Sequence, residues 1–292
     1  MQTPLRYPGG KQRLTPFVKE VLVKNSISGH YVEPYAGGSG VAIKLLLSRN
    51  IESVHLNDSD VRLFAFWYSL MNHTEELCDM ILTASLTVEE WEMRRQIVKE
   101  ANTNDLLQLG FSFFFLNRCN RSGVLSAGLI GGKKQTGNYK MDARFSRNNL
   151  IQRIESIAKF KDQIFIHNLD AEDFLSGIVS KLPQDDTLVY LDPPYYNKAK
   201  DLYPNFYEHE DHIRISEFIQ NRISHKWILS YDGVSEVLDL YQQRRHFLYN
   251  LQYSASKKYK GLEVFIFSDD VEMPESSTLE HVNQGLKVLL NT

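Results

Sequence analysis

The chain has 292 residues, 42% hydrophobic and 24% charged, with a net charge of −3, enough for one large globular domain or two small ones. Its bulk charge does not announce a polyanionic ligand, so any contact with nucleic acid must come from a local basic face. No apolar run of about 18 residues occurs, Met1–Arg6 has no apolar stretch, and Cys78 and Cys119 are only two and lie far apart; these facts argue against a membrane span, secretion, a disulfide framework and a zinc site, and the cytoplasm is the expected location.

The first block, Leu5-Arg6-Tyr7-Pro8-Gly9-Gly10-Lys11, makes a turn where backbone can approach a ligand closely, and a helix is predicted from Lys11 through Val23. Glycine turns before helices are common, so this block points to a site only in company. The second block, Tyr31-Val32-Glu33-Pro34-Tyr35-Ala36-Gly37-Gly38-Ser39-Gly40, ends a strand in a glycine turn, and Val41–Leu47 follows as a helix. It lacks the full G-x-G-x-x-G dinucleotide pattern and the G-K-[ST] phosphate signature. Glu33 suits a cation or a hydroxyl better than a phosphate, which fits an amino acid ammonium. Ser53–Asn57 is predicted as a short strand ending at Asp58, an acid placed where nucleoside-binding α/β folds accept ribose hydroxyls.

From Asp60 to about Leu116 the pattern is helical. Thr87-Val88-Glu89-Glu90 reads as a capping box, and Phe111–Leu116 is predicted to bury against these helices rather than to stack on bases. The stretches Asn117–Gly123 and Gly131–Lys140 are rich in glycine, amides and cations. Between residues 118 and 153, Arg118, Arg121, Lys133, Lys134, Lys140, Arg144, Arg147 and Arg153 face Asp142 alone. Such a patch neutralises phosphates while Asn and Gln read adenine edges; a solvated glycine loop is the bland alternative.

Ile164–Phe174 reads as a strand, a polar turn and a helix start, with Asp170 as the acid at the carboxyl edge and Asp173 as its competitor, which would serve equally as a first-turn charge. Thr187–Leu191 is apolar and β-prone, and it stops at Asp192-Pro193-Pro194-Tyr195, because two prolines forbid further ladder bonding. At the carboxyl end of a parallel strand these four residues sit where ligands bind. Asp192 and a neighbouring carbonyl suit the two hydrogens of an exocyclic amine, and Tyr195 supplies a ring to stack on its base. The bland reading is a strand-ending turn whose Asp caps a helix. Tyr196–Tyr203 is a loop able to close over a target. His209 and His212 lack a third ligand, so a structural pair is expected and no metal. Trp227–Tyr231 and Leu262–Phe267 are predicted strands, Lys257–Lys260 is a second basic candidate for phosphate contact, and the tail after Asp270 is polar and marginally ordered.

These blocks, in this order, resemble the Dam-like class of adenine-specific DNA methyltransferases, from residue 5 to about residue 267. The resemblance implies a Rossmann-like, seven-stranded, mostly parallel α/β methyltransferase sheet, discontinuous over 1–60 and 160–270. A helical target-recognition domain over 61–159 would be inserted, and 271–292 would form the polar tail. It implies S-adenosylmethionine as cofactor, with Tyr7 and Lys11 at its methionine part. Glu33, Pro34, Tyr35 and Gly37 would form its loop, with Asp58 on the ribose and Asp170 on the adenine amine. It implies Asp192, Pro193, Pro194 and Tyr195 as the catalytic motif, acting by direct in-line transfer to the N6 amine of a flipped-out adenine in double-stranded DNA. Arg118, Asn120, Arg121, Lys133, Lys134 and Lys140 would contact the DNA. The aromatic-and-glycine core of the family's recognition motif appears here as Asn120-Arg121-Ser122-Gly123, which leaves the target sequence open. A cytosine-amine enzyme, an RNA or protein-amide methyltransferase, and a catalytically silent DNA-binding protein are the alternatives. A restriction endonuclease or defence system is a possible partner.

Overall fold

A computed structural model of the protein describes residues 3–7, 10–196, 207–254 and 258–274, with side chains described outside 250–260. Pro8, Gly9, the loop 197–203, Lys257 and the tail from 275 therefore lie outside the described residues, as do the side chains of Lys258, Tyr259 and Lys260.

Seven strands form one sheet: β1 (His30–Glu33), β2 (Ser53–Asn57), β3 (Ile164–His167), β4 (Thr187–Leu191), β5 (Lys226–Asp232), β6 (His246–Ser254) and β7 (Lys258–Phe267). Their order is β3-β2-β1-β4-β5-β7-β6. The first five are mutually parallel, and β7 runs antiparallel between β5 and β6. Chain order reverses between β1 and β4, and the crevice that opens there at the strands' carboxyl ends is where such sheets bind ligands. Every residue of β4 is buried, as a parallel strand covered on both faces requires. Its side chains alternate between two apolar layers: Leu188 and Tyr190 join Tyr31 and Phe265, while Val189 and Leu191 join Val32 and Ile266.

The predicted first helix begins as a single 3-10 turn, Lys11–Leu14, and continues as α1 (Thr15–Lys24), with Pro16 fitting the first helical turn, where no donor is needed. α2 (Gly40–Leu47) follows β1. Four helices then leave β2: α3 (Val61–Asn72), α4 (Thr74–Thr83), α5 (Val88–Glu100) and α6 (Leu106–Cys119). Thr87 caps α5 by accepting from the Glu90 amide at 3.2 Å, which is half of the expected capping box, while the Glu90 carboxylate pairs with Arg94. α6 is apolar on nearly all sides, because it runs through the middle of the insert. It approaches α3 so closely that a Cβ on Gly110 would lie 2.4 Å from the Ala65 carbonyl oxygen. Phe66 stacks on Phe114 with centroids 5.4 Å apart.

α7 (Arg147–Ala158) returns the chain to β3, and α8 (Ala171–Gly177), α9 (His209–Arg222) and α10 (Ser235–Leu240) follow. The apolar layer under β1 and β4 continues without a break into Phe66, Phe115 and Ile154 of the insert. The expected division at residues 60 and 160 therefore coincides with no gap in the core: α3 leaves β2 directly and packs back on the sheet. The histidine pair is structural, since His209 Nδ1 meets the Tyr196 hydroxyl at 2.7 Å and His212 Nδ1 bonds the Tyr231 hydroxyl. Among the described residues no helix is long and apolar enough to cross a membrane.

Candidate active site

β4 ends at Leu191, and Asp192 leaves the sheet at the switch point. Its Oδ1 accepts from Lys11 Nζ at 2.7 Å and from Ser230 Oγ at 2.8 Å; among the described residues no bond falls on Oδ2. Ser230 lies on β5, and its oxygen is itself 2.8 Å from the Tyr190 hydroxyl. Lys11 is 3% exposed and touches more than Asp192: Nζ lies 3.2 Å from the Tyr195 hydroxyl, 3.7 Å from Glu263 Oε2 on β7, and 5.1 Å from the Tyr195 ring centroid. Burial alone would lower the Lys11 pKa, but Asp192, Tyr195 and Glu263 override it and hold the ammonium well above its ordinary value. Tyr195 is only 4% exposed, so its ring packs on Lys11 inside the protein and does not line the cavity. That corrects the open stacking face expected from sequence: the hydroxyl is drawn inward by charged partners. Pro193 is likewise buried.

A cavity of about 760 Å³ runs from Asp192 to Asp170. Of the sequence-predicted residues, Tyr7, Lys11, Glu33, Pro34, Tyr35, Gly37, Asp58, Asp170, Asp192 and Pro194 all line it. The loop after β1 is shaped by Gly37 and Ser39, both in the left-handed region at φ 48° and 46°. Tyr7 packs so tightly on this loop that a Cβ at Gly37 would lie 2.8 Å from its ring, which is why glycine is needed there. Asp58 Oδ2 accepts from the Gly37 amide at 3.0 Å, so the acid after β2 braces the loop after β1. Asn57 does the same for the loop after β3, donating to the carbonyls of Pro34 and Leu169 at 3.1 Å each. Asp170 caps α8 through the Glu172 amide at 2.8 Å and still faces the cavity, whereas Asp173 sits in the first turn of α8 and off the lining.

Lys11 is the lone cation among the described lining residues, against Glu33, Asp58, Asp60, Asp170 and Asp192. Burial pushes Glu33 up to about 8, against the Ala42 amide that donates to it, and pushes Asp58 up to about 6. A phosphate would meet five acids and a single cation already engaged by Asp192 and Glu263, while an ammonium, a ribose or an exocyclic amine finds acceptors. The donor set thus fits an amino acid nucleoside such as S-adenosylmethionine.

The recognition residues divide. Asn120 is fully buried: its Oδ1 accepts from Trp91 Nε1 at 2.7 Å, and its Nδ2 donates to the carbonyls of Val124 and Leu125 at 3.0 Å each. It reads no base edge, and the expectation that it contacts DNA is corrected. Arg118 spends its guanidinium on the carbonyls of Arg144 at 2.7 Å and Pro4 at 3.3 Å, and burial lowers its pKa to about 9. It too is a structural cation, as are Arg147, bonded to the carbonyls of Ile81 and Ala84, and Arg153, bonded to that of Thr3. Lys133 is exposed but paired with Glu92 at 2.7 Å. Arg121, Lys134, Lys140 and Arg144 remain exposed, beside a Tyr139 that is 73% exposed. Gln135 braces this loop from within, donating to the carbonyls of Ile130 and Gly132 and accepting from the Met141 amide.

Sequence reasoning missed Ser230, Glu263, Asn57 and Tyr207, the last lining the cavity with its hydroxyl 3.2 Å from that of Tyr35. Ser230 and Glu263 do carry a signal, a polar residue near the end of an otherwise apolar strand.

A sheet ordered 3-2-1-4-5-7-6 with its seventh strand antiparallel, a glycine loop after β1 and acids at successive strand ends defines a Rossmann-like methyltransferase. The comparisons with known proteins narrow this. A family model described as D12 class N6 adenine-specific DNA methyltransferase matches residues 7–257, and the chain belongs to that family. It is 25% identical over 233 residues to the Type II methyltransferase M.MjaIII of Methanocaldococcus jannaschii, covering 73% of this chain and 78% of that protein. Two solved structures of the rRNA methyltransferase aviRa from Streptomyces viridochromogenes align at 12% identity over 89% and 90% of this chain and 86% of theirs, with TM-scores of 0.37 and 0.39.

Two variants test this site. Glu33 titrates higher folded than unfolded, so the stability tied to its neutral form is complete below the unfolded value of about 4.3 and is lost as pH rises through about 8. Ligand-free Glu33→Gln should therefore melt above wild type at alkaline pH, by about 2–4 °C for each kcal/mol relieved, with the gap closing toward acid; a gap independent of pH would contradict the buried-carboxylate picture. Asn120→Ala should lower stability in denaturant titrations by about 2–4 kcal/mol, since it strands buried partners. A change in site preference without that loss would return Asn120 to the DNA surface.

Proposed function

We propose that the chain carries out the N6 adenine methylation of DNA that defines its family at Asp192-Pro193-Pro194-Tyr195, on a base flipped from duplex DNA, with S-adenosylmethionine in the cavity between Asp192 and Asp170. The observation that carries this reading is the state of Asp192: Oδ1 is pinned by Lys11 and Ser230, which leaves Oδ2 for an incoming amine.

An adenine amine is a weak nucleophile because its lone pair is delocalised into the ring. Asp192 Oδ2 and a neighbouring backbone carbonyl accept its two hydrogens, draw the nitrogen toward tetrahedral geometry and localise the pair. Lys11 and Ser230 fix the carboxylate, so that orientation is prepaid rather than found during the reaction. Of the residues that line the cavity, Glu33 would hold the cofactor's ammonium, Asp58 its ribose and Asp170 its adenine amine, with Tyr7 and Lys11 at its methionine end. The bound cofactor supplies an electrophilic sulfonium methyl group. No covalent enzyme intermediate is required. Arg121, Lys134, Lys140 and Arg144, which are exposed, neutralise phosphates, and the exposed Tyr139 offers a ring for stacking. The Type II name of the relative fits a role in restriction-modification.

Labelled methyl transfer to unmethylated duplex DNA, followed by nucleoside analysis, tests the assignment. Wild type should label N6-methyladenine, and Asp192→Ala should lose at least about a hundredfold in rate while still binding DNA. Undiminished label in Asp192→Ala would remove the site from this motif, and label in methylcytosine or in RNA alone would remove the substrate.

A further inference from the structure

Glu263 has no part in the chemistry described so far, yet it lies at the site's centre. It occupies β7 opposite Asp232 of β5, and its side chain is 2% exposed. Its Oε2 lies 3.7 Å from Lys11 Nζ, and it hydrogen-bonds the Tyr195 hydroxyl, the same hydroxyl that accepts from Lys11 at 3.2 Å. One buried ammonium is thus shared by two carboxylates, of which only Asp192 reaches the cavity. A buried ammonium needs a compensating charge. Asp192 provides one at rest, but it loses that charge as it takes up the proton of the attacking amine. Among the described residues, Glu263 is the other carboxylate within ion-pair distance of the Lys11 ammonium.

We propose that Glu263 is a positioning residue for methyl transfer: acting through Lys11 and Tyr195, it keeps the ammonium compensated while the Asp192 carboxylate accepts the amine's proton. The proposal rests on the reading of Asp192 as the amine acceptor. In the balanced step the adenine nitrogen gains the methyl carbon, the sulfur keeps the bonding pair, and one proton passes from nitrogen to Asp192. Glu263 gains and loses nothing covalent. The groups facing it are Lys11 from the first 3-10 turn, Asp192 and Tyr195 from the end of β4, Asp232 from β5 and Tyr249 from β6. Burial raises its pKa to about 7 while Lys11 opposes the rise. Its ionised form is therefore the form that assists, and the rate should climb as pH rises through neutrality.

Single-turnover methylation across pH, with wild type, Glu263→Gln, Glu263→Asp and Asp192→Ala side by side, tests the proposal. Glu263→Gln should fall about tenfold, equivalent to about 1.4 kcal/mol of barrier, and lose its inflection near neutral pH, with DNA and cofactor affinities retained. Glu263→Asp should recover an inflection. Carboxyl-labelled NMR of the ligand-free protein should show a glutamate titrating near 7 that is missing from the Gln variant. Should Glu263→Gln fail to fold, Tyr195→Phe serves instead: it removes a hydrogen bond to the carboxylate and should move both the inflection and the NMR titration to higher pH. A wild-type rate and profile in Glu263→Gln, or an inflection that survives it, would overturn the role. An active Asp192→Ala would overturn the underlying site assignment, whatever Glu263 does.

Discussion

The buried ammonium of Lys11 is the contact on which the rest of the site depends. It joins three parts of the chain distant in sequence: the turn before α1, the end of β4 and the antiparallel strand β7. Burying one charge is costly, and burying it between two carboxylates turns that cost into geometry, because no other arrangement compensates all three. The carboxylate at the end of β4 is thereby fixed by one oxygen and left open by the other, and the tyrosine of the motif is drawn inward. Ser230 and Tyr190 complete the hold from the sheet below.

The same N-terminal segment is fastened to the helical segment that follows β2. The Arg6 amide donates to Asn117 Oδ1 at 2.8 Å, Asn117 Nδ2 donates back to the Arg6 carbonyl at 2.6 Å, and Arg6 Nη1 donates to the Asn120 carbonyl at 2.9 Å. A Cβ on Gly123 would lie 2.5 Å from that Arg6 carbonyl oxygen. One residue further on, Tyr7 presses on the glycine loop of the cofactor cavity. Arg6, Tyr7 and Lys11 therefore border, in turn, the loop at Asn120–Gly123, the cavity and the Asp192 carboxylate.

Much of this was legible in the sequence, because the fold places its functional groups at strand ends. Glu33, Asp58, Asp170 and Asp192 each follow an apolar, β-prone run, and the cavity gathers all four. Ser230 and Glu263 lie inside predicted strands, yet the meeting of Ser230 with Asp192 and of Glu263 with Lys11 depends on how β4, β5 and β7 pair, which no local pattern records. The basic stretch misled in the opposite direction. Composition counts cations but not their partners, and Arg118, Arg147 and Arg153 proved to be holding backbone carbonyls, Arg147 those of Ile81 and Ala84 and Arg153 that of Thr3 in the N-terminal segment. Asn120 reads as a base-reading amide for the same reason, until Trp91 is seen to occupy it.

The most direct measurement is the methyl-transfer rate of Lys11→Met with both substrates saturating, since methionine keeps the length of the side chain and removes the charge. If the shared ammonium sets the site, the rate falls by at least about a hundredfold, the scale of a lost proton-transfer arrangement, while the protein still folds and binds DNA. A rate within about twofold of wild type, well under one kcal/mol by the same rate arithmetic, would show that Asp192 is held by something other than the buried ion pair.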